Sequence, residues 1–287
     1  IADCDQMIGV QKETQGSLTI GFNLRHHPMY KTMMEIAGSG ELGDLTGVWV
    51  RHFVGRGGHF YFQDWHSKRE KSNSLLLQKA THDIDLIHYI TGRYTKRLVA
   101  LGSRSYYGGD QPNDLTCQEC DKRHDCPDAT TSTILNQCVF RSEINVEDNE
   151  MVMMQLEGGI LANYSQCQFT PDYHRSYVFI GTKGRMESFE PMISCPNVSR
   201  DYWETDYRLE VLLRNSRPSK TYRFKSSTSG GHGGADPRMV LDWLKSIQNK
   251  KHCLKNPIAG RQSVAVGCLA AESLRGNNEW KVLPPLP

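Results

Sequence analysis

The sequence predicts an α/β chain in two parts. The first is the tail of a parallel α/β unit, and the second is an α+β domain built on a large, mainly antiparallel sheet. Two patterns predict this. Helix and strand patterns alternate through the first hundred or so residues, as in parallel units. From Met151 to Phe224 strand patterns follow one another with only Gly or polar turns between them, which favours antiparallel neighbours.

Taken in order, residues 2 to 15 read as a helix ending near Gly16, and Leu18 to Phe22 as a short buried strand. A second helix runs from Pro28 to about Ala37 and stops at Gly38-Ser39-Gly40. Leu45 to Phe53 alternates as a strand. Leu75 to Thr91 reads as one helix with a stop at Gly92, burying Leu75, Leu76, Ala80, Ile84, Ile87 and Ile90. Arg97 to Tyr107 is the next strand. Met151 to Gln168 turns at Glu157-Gly158-Gly159, and Tyr173 to Phe189 turns at Gly181-Thr182-Lys183-Gly184. Tyr207 to Leu213 and Thr221 to Phe224 complete the sheet. The closing helices span about 236–275. One starts at Asp236-Pro237, an N-cap followed by Pro at the first helical position, and the other begins at Arg261. Pro284 to Pro287 reads as an extended tail.

At 287 residues, with 38% hydrophobic and 23% charged residues, the composition is that of a globular protein and not a disordered one. A formal net charge of +2 gives no ground for nucleic acid or an anionic membrane as partner. No apolar run approaches a membrane span. The start, Ile1-Ala2-Asp3-Cys4-Asp5, has no basic and apolar leader, and its helix-start pattern without Met reads as a piece of something longer. Nine cysteines, an odd number and mostly scattered, point to a reducing compartment, hence the cytoplasm.

Two groups carry candidate chemistry. Lys79, His82 and Asp85 recur every three residues on one predicted helix stripe, which suits either proton transfer or a solvated face. Cys117-x2-Cys120-x5-Cys126, with Cys138 beyond, suits tetrahedral zinc with His124 as a spare ligand. An iron–sulfur cluster, a disulfide or plain reduced thiols are the other readings.

Several segments resemble, in order, those of the glucose–fructose oxidoreductase / inositol dehydrogenase / MocA (Gfo/Idh/MocA) family. Gly21-Phe22-Asn23-Leu24-Arg25-His26-His27-Pro28 resembles the strand end at the lip of the family's cofactor domain. Gly40-Glu41-Leu42-Gly43-Asp44-Leu45 resembles its domain crossover, and Thr81-His82-Asp83-Ile84-Asp85 its catalytic-helix motif. Gly181-Thr182-Lys183-Gly184 is similar to its sheet turn, and Gly231-His232-Gly233-Gly234-Ala235-Asp236 to a late helix start.

The resemblance implies residues 1–44 as the remnant of a dinucleotide-binding Rossmann domain. Residues 45–287 are then the substrate and oligomerisation domain, with an open-faced sheet and a Cys-rich insertion at about 110–140. It implies an NAD- or NADP-dependent oxidoreductase acting on a sugar, inositol or related polyol, as a homodimer or homotetramer joined through the open sheet. His82 matches the catalytic His. Lys79 is a second candidate for charge or proton supply, and Asp85 could orient the imidazole. Asn23 and Arg25 stand where cofactor contacts are expected, Arg25 equally as an interdomain ion pair. Trp65, His66 and His232 stand near the substrate, and Asp236 reads as a helix cap. Two departures stand out. Gln78 occupies the place of an Asp relay. No G-x-G-x-x-G turn and no Glu-Lys-Pro segment is present, so about one Rossmann half is expected to be missing. Gly55-Arg56-Gly57-Gly58 is Gly-rich but follows a strand of the second part. Two other functions stay open: an NAD-recycling glycoside-cleaving enzyme, and a non-catalytic binding or assembly module.

Overall fold

The computed structural model describes residues 1–55, 57–191, 206–214, 219–226, 231–249 and 255–286. Nine strands form one sheet: β1 (Leu45–Phe53), β2 (Thr95–Ser103), β3 (Asn149–Leu156), β4 (Leu161–Cys167), β5 (His174–Gly181), β6 (Gly184–Phe189), β7 (Tyr207–Leu213), β8 (Lys220–Phe224) and β9 (Lys281–Val282). Their order is β8-β7-β6-β5-β1-β4-β3-β2-β9. Pairing is antiparallel between the named strands except where β1 lies parallel to β4, with Val50 opposite Tyr164. The predicted α+β sheet is therefore the observed one, with the short β9 added.

Strand period explains how the sheet is covered. Val48, Val50 and His52 of β1 point inward, while Trp49 and Arg51 point out. The inward face packs against helices α2 (Pro28–Ser39), α5 (Thr81–Thr91) and α7 (Lys255–Arg275) in one apolar core. On the outer face Trp49, Met151, Met153 and Leu161 are each more than half exposed. Helix α2 starts with Pro28 at N1 and the His27 ring Nδ1 accepting from Met29 N (3.2 Å). Among the described residues no helix is long and apolar enough to cross a membrane.

The long helix predicted from Leu75 is interrupted. After α3 (Arg69–Ser72) comes α4 (Leu75–Gln78), capped by Ser74 Oγ accepting from Leu77 N (3.1 Å), and then α5. At the junction Leu75 O accepts from both Lys79 N (2.8 Å) and Ala80 N (3.0 Å), the second a widened turn. Helix α7 crosses here at close range: a Cβ on Gly267 would fall 2.7 Å from Leu77 Cα. The six predicted core positions are nonetheless all buried, and Gly92 ends α5 in the left-handed conformation (φ 64°).

Leu18 to Phe22 differs from expectation, since it forms no strand and ends in tight turns, with Phe22 N bonded to Ile20 O (3.0 Å) and Asn23 N to Gly21 O (2.9 Å). The Asn256 side chain of α7 substitutes for a ladder neighbour, accepting from Ile20 N and donating to Ile20 O (3.1 Å). Helix α1 (Ala2–Thr14) is fixed to α7 through Asp5 and Arg261 (2.8 Å). Helix α6 (Gly231–Gln248) opens with left-handed His232, Gly233 and Gly234 before continuing as regular helix. Strand β2 ends at Ser103, short of the predicted Tyr107. Arg56, Cys195 and Cys253 lie outside the described residues.

Arg25 and Asp85 join the 3-10 turn Asn23–His26 to α5 by two bonds of 2.6 Å, and Asp85 is 1% exposed. Arg25→Ala should lower the unfolding free energy by about 3–5 kcal/mol, because it strands a buried carboxylate. The double variant Arg25→Met/Asp85→Leu should recover most of that loss. Urea unfolding of both measures it.

Candidate active site

The site is built around a carboxylate that periodicity alone does not single out. Asp83 has no solvent exposure. It accepts hydrogen bonds from Tyr177 OH and from Tyr164 OH (2.9 Å), and it faces His52 Nδ1 (3.1 Å) and Arg175 Nε (3.3 Å). Burial works against its charge, yet Arg175, His52 and the Tyr177 bond together hold it well below the usual carboxylate range. Burial and then Arg175 push His52 down to about 3, so its ring is neutral despite the contact. Arg175 also reaches His52 Nε2 (3.1 Å) and lies 3.9 Å from Glu190, which accepts from Tyr30 OH. The hub thus joins α5, three strands and α2.

One helical turn before Asp83, Lys79 lines a cavity of about 470 Å³ with Phe60, Tyr61, Tyr173, Arg175, Glu190, Tyr207 and His232. Its ammonium lies 6.0 Å from the centre of the Tyr61 ring. Among the described residues no carboxylate lies within ion-pair distance of it. Burial first, and then the Arg175 charge, bring Lys79 down to about 8. The cavity therefore joins an amine that titrates near neutrality to four aromatic rings.

His82 lines a second cavity with Ile20, Gly21, Phe22 and Thr81. Its ring meets Phe22 edge-on at 5.8 Å. Burial and the nearby Lys79 charge lower it to about 4, leaving a neutral imidazole. Asn23 Nδ2 donates to Asp236 Oδ1 (2.6 Å) and meets His232 Nδ1 (2.9 Å), while its buried Oδ1 has no partner. Asp236, read from sequence as a cap, thus braces Asn23 and His232.

Several expected roles move. Asp85 does not orient His82, because Arg25 occupies both its oxygens. Burial outweighs that pairing and raises Asp85 to about 6. Arg25 gives its Nε and Nη2 to that ion pair and lies over the Tyr89 ring (4.8 Å). The widened turn at Ala80 breaks the predicted Lys79-His82-Asp85 stripe into three environments. Trp65 and His66 are stacked on each other (3.8 Å) one layer behind the cavity, with His66 edge-on to Tyr61. The aromatic wall is instead Phe60, Tyr61, Tyr173 and Tyr207, and the Phe60-Tyr61-Phe62 run was its available signal. Gln78 is partly buried with an unpartnered Oε1, in place of the relay carboxylate.

The four cysteines of the insertion line one cavity of about 540 Å³. Among the described residues, however, no three His, Cys, Asp or Glu side chains are arranged to hold a metal ion. Burial pushes the Cys126 and Cys138 thiols up, which favours the neutral form over the thiolate a metal needs.

The Lys79 environment has a measurable pH signature. The folded chain releases this proton near 8 and the unfolded chain near 10.5. Between those values the unfolded chain binds more protons, so stability rises with pH, by up to about 3 kcal/mol. Lys79→Met should remove that slope. NMR of dimethylated lysines should show one amine titrating near 8 that is missing from the same variant.

Comparison with known proteins follows this geometry. The family model described as the GFO/IDH/MocA C-terminal domain matches residues 30–187. A candidate oxidoreductase of Bacillus subtilis (strain 168), YteT, is 25% identical over 311 residues, covering 93% of this chain and 69% of that protein. An oxidoreductase domain protein from Kribbella flavida superposes with a TM-score of 0.68 at 15% identity, over 92% of this chain and 66% of that one. Levoglucosan dehydrogenase in complex with NADH and levoglucosan gives 0.65 at 13% identity, over 92% and 65%. This chain spans about two thirds of the length of these relatives. The structural likenesses carry the fold, and the family model matches more than half of the chain: it belongs to the GFO/IDH/MocA family.

Proposed function

We propose that this chain is the substrate-side part of an NAD(P)-dependent oxidoreductase that acts on a hydroxyl-bearing carbon of a sugar, inositol or related polyol. The observation that carries this reading is Lys79, an amine titrating near 8 in a cavity walled by Phe60, Tyr61, Tyr173 and Tyr207. Aromatic faces suit the apolar C–H faces of a sugar ring, and Arg175, Glu190 and His232 offer partners to its hydroxyls. The levoglucosan dehydrogenase likeness agrees with this chemistry. In this reading residues 1–44 complete a nucleotide-binding domain and residues 45–287 form the substrate domain.

Oxidation of an alcohol removes a proton from oxygen and a hydride from carbon. Lys79 Nζ takes the hydroxyl proton, since an amine poised near neutrality can be unprotonated and still bind it firmly. His82, which lines a separate cavity but lies close enough for the Lys79 charge to act on it, is the poorer base because its basicity is lowered. The nicotinamide, when bound, supplies the hydride acceptor. Asn23 fits such a group, because its buried, unpartnered Oδ1 matches a carboxamide N–H donor.

The outer sheet face, with Trp49, Met151, Met153 and Leu161 exposed together, is read as the contact with a second copy of the chain.

In the NAD(P)-bound protein, Lys79→Met should lower kcat by roughly 10²–10⁴ with little change in KM, and His82→Asn should cost less. Deuterium on the oxidised carbon should appear in the reduced nicotinamide. An unchanged kcat in Lys79→Met removes the proposed base, whereas glycoside cleavage without net NADH would favour the recycling reaction. Trp49→Glu combined with Met153→Lys should shift the sedimentation of the protein toward monomer.

A further inference from the structure

The Asp83 hub reaches the aromatic cavity through a phenol. Strand β1 sets fully buried His52 opposite Arg175 of β5, and Tyr173 lies two residues before Arg175. Residues two apart in extended chain share a face of the sheet, so these three polar groups converge. His52 Nε2 meets both Tyr173 OH (3.2 Å) and Arg175 Nη2 (3.1 Å), with the two rings edge-on at 5.6 Å. Tyr173 also lines the cavity that holds Lys79.

The partners fix each proton along this chain. Asp83 is ionised and can only accept, so His52 Nδ1 donates to it (3.1 Å). A guanidinium can only donate, so His52 Nε2, facing Arg175, is the bare nitrogen of a neutral ring. Toward that nitrogen Tyr173 OH can only donate. Burial pushes the Tyr173 phenol up, so it keeps its proton. The phenol oxygen is left as an acceptor, met on the protein side by Arg175 Nη2 at 3.4 Å. With its proton given inward, Tyr173 offers the cavity a lone pair.

We propose, on the polyol reading of the cavity, that Tyr173 accepts a hydrogen bond from a substrate hydroxyl other than the one Lys79 deprotonates, and that His52 and Asp83 are the positioning residues that hold its oxygen. This adds a rule of selectivity to the aromatic wall. A hydroxyl at Tyr173 is favoured, whereas a hydrogen or an O-methyl group there leaves the phenol oxygen without a donor. Asp83 then has a second effect besides joining helix to sheet. It sets the direction of the hydrogen bond that a ligand meets, through the proton it fixes on His52.

Tyr173→Phe removes one oxygen and keeps the ring. Long-range proton–nitrogen NMR of the histidine-labelled chain should show a neutral ring protonated on Nδ1 whose bare Nε2 signal moves in this variant. If no histidine signal moves, or the ring that moves carries its proton on Nε2, the assignment is overturned without reference to any ligand. Calorimetry on the NAD(P)-bound protein with D-glucose, D-galactose and myo-inositol supplies the second arm. Affinity for those that bind should fall about 5- to 20-fold in Tyr173→Phe. One monodeoxy analogue of the tightest binder should lose a similar factor on the unmodified protein and none on Tyr173→Phe. Equal affinities in the two proteins would overturn the role of Tyr173 and leave the polyol reading in place. No binding of any of the three to the unmodified protein would overturn both.

Discussion

A carboxylate with no access to water governs the rest of the site. Asp83 is ionised only because two tyrosine hydroxyls, a guanidinium and a ring nitrogen surround it. Those partners come from β1, β4 and β5, so the charge on α5 fixes the helix against the middle of the sheet. Losing one partner from such a group costs about 3–5 kcal/mol, several times an exposed ion pair. The strong constraint sits beside the candidate residues, with Lys79 four positions before it and His82 next to it in sequence.

The same charges divide the labour of the two candidate groups. Arg175 neutralises Asp83 and also raises the local positive potential, which discourages protonation of Lys79. Lys79 in turn discourages protonation of His82. Burial lowers both, but from different starting values. The amine ends near neutrality and the imidazole far below it. The ordering leaves an amine near neutrality in the aromatic pocket and a neutral imidazole in the cavity that holds His82.

Much of the fold could be read directly, because strand alternation and Gly stops are local. Leu45 to Phe53 and the stop at Gly92 fall where period and punctuation place them. The family motifs singled out His82, Asn23 and His232 for separate roles, and the structure brings Asn23 to His232. Three things were out of reach. The widened turn at Ala80 depends on how closely α7 can approach across Gly267, which is a tertiary fact. Asp83 looked like one more polar residue, since nothing in spacing reveals that Arg175 and two tyrosines converge on it. Leu18 to Phe22 has the composition of a strand, but a strand needs a neighbour, and Asn256 supplies its hydrogen bonds instead.

The pairing of β1 with β4 has a kinetic side. Parallel neighbours need a crossover, and here it comprises everything from residue 54 to residue 160, including α4 and α5, the cysteine loop and two strands of the same sheet. Closing so long a loop delays the central contact and raises contact order, which slows folding. Altered loops in the crossover would therefore show first in refolding rate and yield, before they show in the stability of the finished protein.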